Sequence, residues 1–131
     1  MLYRSMEADA DGLPVLGRSA RRLGVRIGST DDDIPVINDR VHALNGGMSV
    51  AIDDPTALPH WRRPAAFQGT GRGLVMFGLE LDTLLDTPLA LRVDRKNSSH
   101  GFIEPVRSLP IDEYEQYLGE TRGHWRAILK P

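Results

Sequence analysis

The sequence predicts an α+β domain, rich in short strands and closed by one C-terminal helix. Three observations predict it: short apolar runs bounded by Gly, Pro and Asn-Asp signals, a period-two stretch over 89–94, and one run at helical spacing near the C-terminus. Residues 1–6 read as an apolar opening strand that carries Arg4. Residues 18–23 read as one or two helical turns, basic at Arg18, Arg21 and Arg22. Ile34-Pro35-Val36 and Arg40-Val41-His42-Ala43 flank Asn38-Asp39, a small hairpin turn. Residues 47–52 make a further strand behind a Gly-Gly turn. Residues 74–81 are apolar nearly throughout, which suits a central strand. Residues 89–94 alternate as a half-buried strand does, and 101–106 form another that Pro105 pushes towards an edge. For the helix, Ile111, Tyr114, Leu118, Trp125 and Ile128 recur at helical spacing behind Pro110 at the tolerated N1 position. Asp112, Glu113 and Glu115 at its start and Arg122, Arg126 and Lys130 near its end complement the macrodipole. Gly119 marks where it can break.

Size and charge narrow the function classes. The chain has 131 residues, enough for one domain spanning 1–131. It has no cysteine, which removes disulfides, thiolate metal sites and cysteine nucleophiles. Sixteen Lys and Arg against eighteen Asp and Glu give a net charge of -2, without the basic excess of a nucleic-acid binder. No apolar run approaches the roughly 20 residues that span a bilayer. Glu7, Asp9 and Asp11 interrupt any secretory h-region, so no signal peptide is expected. His42, His60, His100 and His124 show no pair at metal-ligand spacing, so no metal is expected.

Several motifs carry little chemistry. Ser49 lacks the flanking glycines of a nucleophile elbow, and Ser98-Ser99 beside His100 read as a polar turn. The glycine-rich stretch 68–73 precedes a strand, where a phosphate cradle opens a helix, so it reads as a surface loop. Asp31-Asp32-Asp33 reads as a solvated turn. Four other elements are candidates. Arg4 is either an edge arginine reaching for water or a ligand contact. Gly46-Gly47-Met48-Ser49-Val50 is either a plain turn or a place where backbone N–H groups and a hydroxyl approach a ligand. Trp61-Arg62-Arg63-Pro64 sets two guanidinium groups beside a ring, fit for a pyrophosphate or for surface cation–π packing. Glu104 lies in an apolar stretch, where strand alternation favours an outward side chain over one held in a cleft.

Taken in order, these segments resemble the exported cytotoxic effectors that type VI secretion delivers between bacteria, with their bacterial and fungal relatives. The resemblance runs through Leu2-Tyr3-Arg4, Leu23-Gly24-Val25-Arg26, Gly46-Gly47-Met48-Ser49-Val50, Arg62-Arg63-Pro64, His100-Gly101-Phe102-Ile103-Glu104-Pro105, and Tyr114 with Thr121-Arg122 and Trp125. It implies the ADP-ribosyltransferase-like toxin fold, of mixed or antiparallel sheets, and NAD+ as donor substrate. It further implies Arg4, Ser49 and Glu104 as catalytic residues, with Arg4 clamping phosphates and Glu104 stabilising the cation left as nicotinamide departs. Gly46, Gly47, Met48, Ser49, Arg62, Arg63 and His100 join Arg4 as NAD+ contacts. Phe102 stands where arginine-modifying transferases carry a second acid, which disfavours an arginine acceptor. The implied function is a cytotoxic, NAD-dependent ADP-ribosyltransferase acting in a target-cell cytoplasm. The alternatives are an NAD glycohydrolase and an inactive binding domain on the same fold. A cognate immunity protein and a macromolecular acceptor are the expected partners, with no nucleic acid and no membrane.

Overall fold

A computed structural model describes residues 1–131. The strands are β1 (Leu2–Met6), β2 (Arg40–Val41), β3 (Met48–Ile52), β4 (Val75–Leu79), β5 (Leu89–Asp94), β6 (Asn97–Pro105), β7 (Leu109–Pro110) and β8 (Arg126–Ala127). The single α-helix is α1 (Ile111–Glu120). Six strands form one sheet in the order β5-β6-β3-β1-β4-β8, and β2 pairs with β7 in a small second sheet. Every strand pair in both sheets is antiparallel. The fold is α+β. No helix is long and apolar enough to cross a membrane.

Period two divides the large sheet into two faces. Leu2 and Met6 of β1, Val50 of β3, Phe77 of β4 and Ile103 of β6 point into the main core. There they meet Tyr114 and Leu118 of α1 and Trp125 beyond it. The opposite face carries Ser5, Ser49, Ala51 and His100, brought side by side by the registers Tyr3↔Ala51 and Ala51↔His100. Phe67 and Met76 are fully buried outside the main cluster. The segment between β3 and β4 folds through three 3-10 turns, Pro55–Ala57, His60–Arg62 and Ala65–Phe67.

The structure corrects several expectations. Residues 18–23 are not helical: the chain is extended enough for a Leu16↔Leu23 bridge, and its carbonyls turn towards Arg4. Ile34-Pro35-Val36 forms no strand, although Asn38 and Asp39, both at positive φ, do make the tight turn that the Ile37↔Arg40 bridge closes. β4 is an interior strand as its apolar run suggests, paired with β1 along its length and with the two-residue β8 on its other side. Pro105 ends an interior strand, where its missing N–H interrupts no further ladder. Pro110 is the cap residue of α1, one place earlier than expected.

The helix stops at Glu120, where Thr121 N shifts to the Leu118 carbonyl and the chain tightens into the 3-10 turn Arg122–His124; the Thr121 hydroxyl donates to the same carbonyl at 2.6 Å. The same hydroxyl accepts from Trp125 Nε1 at 2.9 Å. Trp125 is therefore buried from an extended segment rather than from a helix. Arg122, freed from the helix, donates to Pro14 O, Asp9 and Asp11 and ties down the N-terminal segment.

Candidate functional site

The sheet's pairing fails where the site begins. β1 pairs with β4 over its whole length but with β3 only at Leu2↔Ile52 and Tyr3↔Ala51. Past that point the guanidinium of Arg4 enters between the strands and donates from Nη1 to the Ser49 carbonyl at 2.8 Å. Its Nε and Nη2 donate to the carbonyls of Arg22, Ser19 and Gly24. Arg4 is neither on an edge nor reaching for water. It is 6% exposed, and burial pulls its pKa down to about 10 while Asp33 pushes it back. One residue on, the hydroxyl of Ser5 is 3% exposed and has no hydrogen-bond partner in the protein.

A cleft of about 370 Å³ opens beside this junction, within the range of small-molecule sites. Ser5, Ser49, Ala51 and His100 floor it, while Leu58, Pro59, Trp61 and Arg62 wall one side. Ala20, Arg26 and Asp33 enclose it from the N-terminal segment, and Asn97 and Ser99 from the start of β6. The wall is built rather than loose. Thr70 N donates to His60 O at 2.8 Å and Gly71 N to Arg63 O at 2.9 Å, so the glycine-rich stretch is laced onto the turns it follows.

The charges are unequal. Arg4, Arg26 and Arg62 line the cleft with Asp33 as the only carboxylate. Asp33, far from being a solvated turn residue, takes the Arg26 guanidinium at 2.9 Å and the Arg26 backbone N–H at 2.6 Å. That pairing raises the pKa of Arg26. Arg62 is bonded to the Ala20 carbonyl at 2.8 Å and to no carboxylate. Burial first, and then the charge of Arg26, lower its pKa. His100 is bonded through Nδ1 to Asp94 at 2.9 Å and stands edge-on to Phe102, with ring centroids 4.8 Å apart. The bond holds the Asp94 pKa below the usual carboxylate range. It also leaves Nε2 as the free nitrogen of a ring that lines the cleft.

The structure thus gathers Arg4, Ser49, Arg62 and His100 of the expected residues, and leaves the others outside the cleft lining. Glu104 is buried rather than outward. It lies four residues along β6 from His100, about 13 Å by strand rise. Its Oε2 accepts from Arg92 Nε and from Leu44 N, both at 2.9 Å. Gly46 and Gly47 are there for backbone approach. A Cβ on Gly46 (φ 116°) would stand 2.2 Å from Asp33 O, and one on Gly47 (φ 153°) 2.6 Å from Ile103 O. Met48 is a core residue whose N–H donates to the Tyr114 hydroxyl at 3.2 Å. Arg63 does not line the cleft, and its Nε is buried and unpaired. Sequence reasoning missed Ser5, Arg26, Asp33, Asn97 and Ser99 as site residues. They come from loops and strand ends with no spacing in common.

No family model, no curated protein and no solved structure matches this chain.

Proposed function

We propose that this chain is a cytotoxic effector domain that binds NAD+ in the cleft at the β1–β3 junction and breaks its nicotinamide–ribose bond. The observation that carries the reading is the junction itself. A first-strand arginine is inserted against a serine-bearing strand, beside a cleft whose guanidinium groups outnumber its carboxylates three to one. A dinucleotide needs what that cleft offers: cationic groups for a pyrophosphate, hydroxyls for ribose, and an aromatic edge at Trp61 for a flat ring. The buried Ser5 hydroxyl, lacking a partner in the protein, fits a polar ligand in the same place.

In the reaction the C1′–N bond breaks, its electron pair leaves with neutral nicotinamide, and water or an acceptor hydroxyl attacks C1′ as it loses a proton. His100, fixed by Asp94, is the cleft group able to take that proton. Glu104 serves the cation only if it exchanges Arg92 and Leu44 N for the ribose, and its present partners favour a supporting role. They also favour a second reading, a binding domain on this fold that has no catalysis and meets an immunity partner through the same cleft.

Inducible cytoplasmic expression with parallel measurement of cellular NAD+ separates the two. Growth arrest with a fall in NAD+, both relieved by Ser49→Ala and His100→Gln at matched protein levels, supports the enzyme. Arrest that persists in Ser49→Ala and His100→Gln, with unchanged NAD+, supports the binding domain. Absence of arrest and of NAD+ loss contradicts the effector reading altogether.

A further inference from the structure

We infer that the phosphate-binding arginine of this cleft is Arg62, not the first-strand Arg4, and that the Ser5 hydroxyl is the second contact to the same group. The inference rests on the dinucleotide reading above for the ligand's identity, but its geometry is independent of it. Of the three guanidinium groups lining the cleft, two are committed. Arg4 spends Nε, Nη2 and one Nη1 hydrogen on four backbone carbonyls. Arg26 is forked onto Asp33. Arg62 makes one bond, from Nη1 to Ala20 O, which fixes its direction and leaves Nε, Nη2 and the second Nη1 hydrogen without protein acceptors. A planar fork held at one corner, with no carboxylate to neutralise it, is preorganised for a tetrahedral oxyanion.

The second observation lies on the floor of the same cleft. Ser5 and Arg63 carry the two buried side-chain polar atoms without a partner, and only Ser5 lines the cleft. A buried hydroxyl with no partner is unfavourable unless something meets it. A phosphate oxygen would do so by accepting its hydrogen. The 3-10 turn bearing Arg62 is laced to the glycine-rich stretch by Thr70 N and Gly71 N, so the cation stands on a supported wall. Trp61, 59% exposed and next in sequence, gives the site its own reporter, because the only other tryptophan, Trp125, is buried in the core.

The test titrates the protein with inorganic pyrophosphate and follows Trp61 fluorescence, with adenosine as a phosphate-free comparison. Wild type should respond to pyrophosphate, and Arg62→Gln should weaken that affinity about ten- to hundredfold, the loss expected for a charge-assisted contact. Ser5→Ala should weaken it about two- to tenfold. Arg62→Lys, which keeps the charge, should retain part of the affinity, and melting curves identify any variant that has lost its fold. Pyrophosphate affinity unchanged in Arg62→Gln, or no response in wild type, overturns the inference.

NAD+ added in the same titration separates the two claims. If pyrophosphate binds through Arg62 while NAD+ neither binds nor is consumed, the phosphate site stands and the NAD+ reading fails. If wild type and Arg62→Gln consume NAD+ equally, the NAD+ reading stands and this inference fails.

Discussion

Replacing Arg4 with methionine keeps most of the side chain's length and removes its donors. The carbonyls of Arg22 and Gly24 receive hydrogen bonds from Arg4 alone, whereas the Ser19 carbonyl also accepts from Arg22 N. Two acceptors therefore lose their only protein donor, at about 1–3 kcal/mol each. Methionine offsets part of this, since no guanidinium has to be desolvated and its apolar stem stays buried. The net loss should be about 3 kcal/mol. With a urea dependence of about 2 kcal/mol per molar, that lowers the denaturation midpoint by about 1.5 M. Arg4→Lys should fall nearly as far, because one ammonium cannot span carbonyls on both sides of the β1–β3 gap. Urea denaturation followed by circular dichroism measures both. A midpoint within about 0.3 M of wild type would refute the view that Arg4 joins the two halves of the site.

Other consequences follow from the same packing. Tyr114→Phe removes the hydroxyl that donates to Ile103 O at 2.6 Å and accepts from Met48 N at 3.2 Å, so it should cost about 1–3 kcal/mol in the same urea assay. Gly46→Ala sets a Cβ against the Asp33 carbonyl at positive φ and should destabilise by about 2 kcal/mol or more. The displaced Asp33 should also weaken ligand binding at the cleft, read by Trp61 fluorescence. Glu7 has its pKa lowered by hydrogen bonds from Arg22 and Arg21. Its unfolded value is near 4.5, so its contribution is present above that pH and lost as pH falls through the lower folded value. Glu7→Gln should accordingly flatten the fall in stability below about pH 4.5, measured by urea midpoints across that range.

Local pattern was enough for the apolar strands and for only part of the site. The apolar runs that became β1, β3 and β4 were legible because burial in a sheet needs little beyond them. The polar opening of β6, Asn97-Ser98-Ser99, was not, since its pairing comes from the turn after β5 rather than from hydrophobicity. The end of α1 was hard to place because Trp125 sits at helical spacing from Leu118, while the tightening into a 3-10 turn after Thr121 leaves no periodic signal. Residues 18–23 looked helical by composition, yet their carbonyls satisfy Arg4 from a distance in sequence that no window spans. Arg4, Ser49, Arg62 and His100 were legible as candidates, and the structure brings them to one cleft. Glu104 was legible as a carboxylate in apolar company, but its commitment to Arg92 and Leu44 is a tertiary fact. Arg26 and Asp33 face the cleft only because the six residues between them fold back on themselves.

The most direct test incubates purified protein with NAD+ and quantifies free nicotinamide, ADP-ribose and remaining NAD+ by chromatography, beside His100→Gln and Glu104→Gln of verified fold. The account predicts nicotinamide release by wild type and a loss of about 10²–10⁴ in rate for His100→Gln. Glu104→Gln should lose less, in keeping with a carboxylate held by Arg92 outside the cleft. NAD+ left intact by folded wild-type protein, both alone and with bacterial lysate added as a source of acceptors, would contradict the account.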